Sequence, residues 1–105
     1  MPTVKIADLY QLTPKDIVPV AVPTSAEDVS VGDLYLEELQ FTNTSGAALT
    51  ITVTDKQGSP LSILDTMSID TKALYIMSFH SRWCPGGLRW VASGSGIVGY
   101  VKFRQ

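Results

Sequence analysis

The cleanest periodicity in the chain lies at residues 49–54, LTITVT, where Leu49, Ile51 and Val53 alternate with Thr50, Thr52 and Thr54. A period of two built on β-branched residues predicts a strand with one face buried. Leu34 and Leu36 alternate in the same way, and Leu39 and Phe41 do so in the opposite phase. The slip falls at Glu37-Glu38, as one extra residue in a β-bulge would produce. Thr42 to Gly46 (TNTSG) and Asp55 to Gly58 (DKQG) have turn chemistry, and a shorter apolar segment follows around Leu61, Ile63 and Leu64. Residues 72–80 predict another strand, with Tyr75, Met77 and Phe79 on one face and Leu74, Ile76 and Ser78 on the other. Both faces are largely apolar, which suits a central strand. Cys84-Pro85-Gly86-Gly87 breaks the run. Leu88 to Ala92 then reads as a strand, Ser93 to Gly96 as a hairpin turn, and Ile97 to Phe103 as the last strand. No helical period exceeds a turn or two; Asp8 to Gln11 and Ser25 to Val29 are the candidates for a short helical turn.

Residues 1–32 differ from the rest. They hold Pro2, Pro14, Pro19 and Pro23, four of the six prolines, and the weakest periodicity. The stretch from Asp16 to Pro23 (DIVPVAVP) is apolar but punctuated by a residue that cannot donate to a sheet ladder. It reads as an extended arm or an edge strand, with Ile17, Val18, Val20 and Val22 lying on another surface. The expectation is an all-β chain: an extended N-terminal arm or edge segment over 1–32, then an antiparallel β-sandwich or jelly-roll-like barrel over 33–105.

A chain of 105 residues has room for one domain. Only 17% of its residues are charged, where about a quarter is usual, so part of the surface is expected to meet a partner. A net charge of −2 argues against nucleic acid, whose capture needs clustered Lys and Arg. The charge is divided along the chain. Residues 1–71 carry all ten acids and three bases, net −7, whereas 72–105 carry five bases and no acid, net +5. Either a folded sandwich interleaves the two, or an acidic arm meets a basic face on a neighbouring subunit. Cys84 is the sole cysteine, so no internal disulfide forms. The N-terminal residues lack a signal-peptide pattern, and no apolar run approaches the roughly 20 residues of a membrane span. Synthesis in a reducing cytoplasm, without membrane insertion, is expected.

Candidate chemistry is sparse. Gly94 to Gly99 matches GxGxxG formally, but a dinucleotide site needs a following helix and an acid about 20 residues on, and neither fits here. His80 and Cys84 are too few for a structural zinc site, and a nucleophilic thiol would need a ring and an orienting group beside it. The adjacent pairs Glu27-Asp28 and Glu37-Glu38 point their side chains to opposite faces of an extended chain, which suits solvated charges better than a catalytic pair. Asn43-Thr44-Ser45 satisfies the glycosylation sequon but reads as a turn. No catalytic residue, metal ligand or cofactor is expected, and the chain is read as no enzyme. Arg82-Trp83 and Arg89-Trp90 remain, residue types enriched at contact surfaces, with core packing the plainer alternative for either Trp. If the contact were a sugar, an aromatic face would stack on it, making a carbohydrate-binding or adhesin module.

Residues 33–105 resemble small virion structural proteins of tailed bacteriophages. The likeness lies in the Thr-rich strand and polar turn LQFTNTSGAALTITVTDKQGSPLSIL and in the glycine-led Trp strand GGLRWVASGSGIVGYVKF. The resemblance implies a β-sandwich that assembles with itself, a trimer being favoured, and with virion proteins such as the major capsid protein. It implies location in the virion, most simply as a capsid decoration (cement) protein and otherwise as a neck or tail part. Ile17, Val18, Val20, Val22, Arg82, Trp83, Arg89 and Trp90 are the expected contact residues.

Overall fold

The computed structural model describes residues 14–57 and 62–105; the rest of the proposed arm, the candidate turn at Asp8 to Gln11, and Leu61 lie outside them. Eight strands follow in chain order: β1 (Pro14–Ala21), β2 (Glu27–Val31), β3 (Leu34–Asn43), β4 (Leu49–Asp55), β5 (Ser62–Ile69), β6 (Leu74–Cys84), β7 (Gly87–Ala92) and β8 (Ile97–Arg104). They form two four-stranded antiparallel sheets, sheet I in the order β1-β8-β3-β6 and sheet II in the order β2-β7-β4-β5.

The order has a simple origin. β1 pairs with β8, β2 with β7, β3 with β6 and β4 with β5, as in one long hairpin closed at the β4–β5 turn. Rolling that hairpin adds the pairs β3–β8 and β4–β7. The result is the jelly-roll form of the β-sandwich, in which most connections cross between sheets.

The core is the inward half of each alternation. Leu34, Leu36, Leu39 and Phe41 of β3 face Ile51 and Val53 of β4 and Leu88, Trp90 and Ala92 of β7, with Ile97, Val101 and Phe103 of β8 completing the layer. In β3 the buried positions change phase across Glu37-Glu38, and the pairing with both β6 and β8 shifts between Leu36 and Glu38. The bulge lies where the sequence placed it. The Thr50, Thr52 and Thr54 side of β4 is only half-buried, as its alternation required.

Four expectations need correction. Residues 27–29 belong to β2 and are extended, not a helical turn. Residues 14–21 and 27–31 form β1 and β2, which border the two sheets, so the edge-strand reading describes this part of 1–32, and these described residues belong to the sandwich rather than lying outside it. β6 is a border strand too, not a central one. Its Tyr75, Met77 and Phe79 side is half-buried against the core, and its other side leaves Leu74 and Ile76 exposed. Alternation reports how each face is shielded, not how many neighbours a strand has. Finally, Ser93 to Gly96 joins strands of opposite sheets, so it is a crossover between layers, not a hairpin turn.

Candidate functional site

The outward surface of sheet I carries a group of chemically distinctive side chains. Directly opposed residues of antiparallel strands share a face, so the registers align Arg104, Tyr35 and Trp83 in one row, Lys102, Glu38 and Ser78 in the next, then Tyr100, Gln40 and Ile76, and finally Val98, Thr42 and Leu74. One end of the face is aromatic and ionic, the middle polar, the other end apolar.

At the ionic end two bulges meet. Against β8, β3 carries Glu37 as an extra residue; against β3, β6 carries extra residues around His80 and Ser81. His80 (φ 49°) and Ser81 (φ 62°) both occupy the left-handed region, which is uncommon for residues other than glycine. The detour brings Ser81 Oγ to donate a hydrogen bond to Glu37 Oε1. Glu37 Oε2 also lies 3.9 Å from Arg104 Nε. Beside them the Tyr35 and Trp83 rings pack at a centroid distance of 4.9 Å, tilted by 46°. Trp83 Nε1 is buried without a hydrogen-bond partner among the described residues. Farther along, Gln40 Nε2 donates to Glu38 at 2.9 Å. Burial, and next the charge of Asp16, push the Tyr100 phenol above its usual range.

The expected contact residues do not form one surface. Val22 is buried, with its Cγ2 against the Gly99 backbone, so it belongs to the core. Trp90 is 4% exposed and meets Phe41 edge-on at 6.0 Å; it too is core and can stack on no ligand. Arg82 and Trp83 lie on β6 of sheet I, whereas Arg89 and Trp90 lie on β7 of sheet II, so the two pairs belong to different sheets. Arg89 points outward and is held by Asp28 at 3.1 Å. Val20 is exposed on β1, and the side chains of Ile17 and Val18 lie outside the described residues. Sequence reading missed Tyr35, Ser81 and Arg104. It had the phase slip that marks Glu37, but nothing in it reported which β6 residue would meet that bulge.

Part of the charge division is met inside the chain. Asp28 binds Lys56 at 2.6 Å and Arg89 at 3.1 Å, and Glu37 faces Arg104, so two of these three contacts join the acidic part to the basic part. The hydrogen bond from Lys56, with a smaller one from Arg89, holds the Asp28 carboxyl below its ordinary value. At a surface position such pairs fix register more than they add stability.

Cys84 is fully buried, and burial pushes its thiol up to about 11. His80, on the same strand, is exposed, and no cluster of metal-ligating side chains occurs among the described residues. We expect Cys84 to be silent toward Ellman's reagent in the native protein at pH 8 and to react at once in denaturant; native labelling at the denatured rate would refute this. Because burial favours the neutral thiol, its contribution to stability is full at neutral pH and declines as pH climbs from about 9 toward 11.

The chain matches no known protein family, and no curated protein sequence matches it.

Proposed function

We propose that this protein is a non-enzymatic structural component of a tailed-phage virion, a capsid decoration protein that stabilises the shell by bridging neighbouring subunits. The strand order carries this reading: the eight-stranded jelly roll is an architecture that viral capsid proteins use repeatedly. The resemblance of residues 33–105 to small virion proteins supplies the phage context. The chain is then made in the host cytoplasm, incorporated into the virion, and partnered by copies of itself, a trimer by the same resemblance, and by proteins such as the major capsid protein. Exposed Val20, Val31, Leu74 and Ile76 supply apolar area for such contacts. The low charge content agrees with a surface designed to be covered.

The test is mass spectrometry of density-purified particles of the encoding phage. A copy number commensurate with the major capsid protein is expected for a decoration protein, and a few copies would indicate a neck or tail part. Its absence from particles, with the chain left in the soluble lysate, would overturn the proposal. Deleting 1–32 would not test assembly, because it removes both β1 and β2.

Jelly rolls also serve lectins, and one observation keeps a carbohydrate-binding reading in view: Tyr35 and Trp83 form an aromatic pair flanked by Glu37 and Arg104. Glycan-array binding lost in Trp83→Ala would favour it over the virion reading. Trp90 has no part in that alternative.

A further inference from the structure

Among the described residues the two sheets have four border strands, β1 and β6 in sheet I, β2 and β5 in sheet II. Three of them carry devices that discourage a further strand. β1 contains Pro14 and Pro19 and a register shift between Ile17 and Val20. β2 is five residues long, begins Glu27-Asp28, and loses register after Asp28. β5 is interrupted at Asp65-Thr66, with Thr66 in the left-handed region (φ 53°). Charges, prolines, short length and bulges are the usual protections of an exposed sheet edge.

β6 has none of these over its first half. Leu74 to Phe79 (LYIMSF) contains no charge and no proline, and the strand stays regular until the left-handed pair His80-Ser81. On its outward side Leu74 is 54% and Ile76 58% exposed. A flat, uncharged, apolar segment on an open edge presents its backbone donors and acceptors to any matching strand, and is an aggregation hazard unless something covers it.

We propose that a second copy of this chain covers it, β6 pairing antiparallel with β6 of the partner about a two-fold axis through Ile76. The choice of occupant rests on the other edges. A copy offering β1, β2 or β5 would bring a proline, an acid or a bulge into the new ladder, so β6 is the one described edge free to match β6. The segment is also self-complementary. Opposed residues must share a face, so the axis passes through a residue and not between two. With Ile76 on the axis, Ile76 packs on Ile76 of the partner subunit, Leu74 lies beside Ser78 of the partner subunit, and Tyr75 beside Met77 of the partner subunit. No charge is brought against another. The two sheets I become one continuous sheet of eight strands, and the paired Leu74 and Ile76 side chains close a common apolar stripe.

A contact of this length falls below the roughly 1,200–2,000 Å² of stable complexes, so the dimer is expected to depend on concentration. The proposal does not rest on the virion reading, since it uses only the edge chemistry of this chain; the two-fold β6 contact is separate from the trimer that the resemblance implies, which would need other surfaces.

Light scattering on the full-length protein from about 10 μM to about 1 mM tests it. The mass is expected to rise from one chain to two. Ile76→Lys, which sets two ammonium groups against each other at an exposed position, is expected to remain monomeric with an unchanged circular dichroism spectrum. With dissolved oxygen and a copper catalyst as oxidant, Ile76→Cys should form a disulfide-linked dimer, whereas Ser78→Cys, which faces Leu74 of the partner subunit, should not. A wild-type chain monomeric at the highest concentration would overturn the proposal. So would self-association that survives Ile76→Lys, or cross-linking of Ser78→Cys as fast as that of Ile76→Cys.

Discussion

Replacing Gly99 with alanine is expected to cost the fold about 3 kcal/mol, near the top of the usual range for overpacking a core. Gly99 is the buried β8 residue opposite Phe41, and the six-membered part of the Trp90 indole lies on its backbone. A Cβ there would stand 2.6 Å from Trp90 Cζ3, 2.8 Å from Trp90 Cη2 and 2.9 Å from Val22 Cγ2. The ring cannot retreat freely, because its other neighbours include Phe41 at a centroid distance of 6.0 Å. The clash predicts a specific non-additivity. In a Trp90→Phe background the atoms nearest the new methyl are gone, so the cost of Gly99→Ala should fall by about half or more, as expected of side chains in direct contact. Urea denaturation of the four proteins of this cycle measures it. A cost for Gly99→Ala that is the same with either ring would refute the packing account.

The second large effect is expected at Asn43. This residue is fully buried at the end of β3, and its amide is used completely. Nδ2 donates to the carbonyls of Ala47 and Ile69, each at 2.9 Å. Oδ1 accepts from Ser45 N at 2.9 Å and Ser45 Oγ at 2.7 Å. One side chain therefore closes the β3–β4 turn on itself and ties it to the end of β5. Asn43→Ala removes four hydrogen bonds and leaves the Ile69 carbonyl in the core without this donor. A loss of about 2–4 kcal/mol is expected, since each orphaned buried group costs about 1–3 kcal/mol. Asn43→Asp should be worse at neutral pH. A carboxylate keeps the contacts to Ser45 but turns acceptors toward two carbonyls, with no proton to donate. Acidification should restore part of that loss, because the protonated acid can donate again and burial raises its folded-state pKa above the unfolded one. If Asn43→Asp is as stable as Asn43→Ala at both pH 4 and pH 7, the donor role of the amide is refuted. The same geometry turns the Asn43 amide nitrogen of the Asn43-Thr44-Ser45 sequon toward the core instead of solvent.

How much of the candidate site was legible follows from the range of the forces involved. Glu37 was marked because a bulge leaves a local trace, a change of hydrophobic phase between Leu36 and Leu39. Its partners were not. Ser81 lies 44 residues away, and the left-handed turn of His80 and Ser81 that presents it uses neither glycine nor asparagine, so no conformational preference announced it. The two Arg-Trp pairs look equivalent in the sequence. Only the rolled hairpin separates them, placing Trp83 beside Tyr35 on the outside of sheet I and Trp90 under Gly99 in the core.

By itself the sequence determined most of the strands from Leu34 onward, several of their turns, the bulge at Glu37, and a sandwich or jelly roll as the class that could bury such alternating segments; it did not determine β2. These follow from the two-residue period of an extended chain and from local turn chemistry, which neighbouring residues fix among themselves. The tertiary structure decided which strands border the sheets, which apolar faces meet solvent, and which charges meet. It turned β6 from an apparent central strand into an open edge with Leu74 and Ile76 exposed, and it joined Asp28 to Arg89 and Glu37 to Arg104 across the acidic and basic parts of the chain. Those outcomes depend on pairing between residues far apart in the chain, and a period of two is the same whether a strand has one neighbour or two.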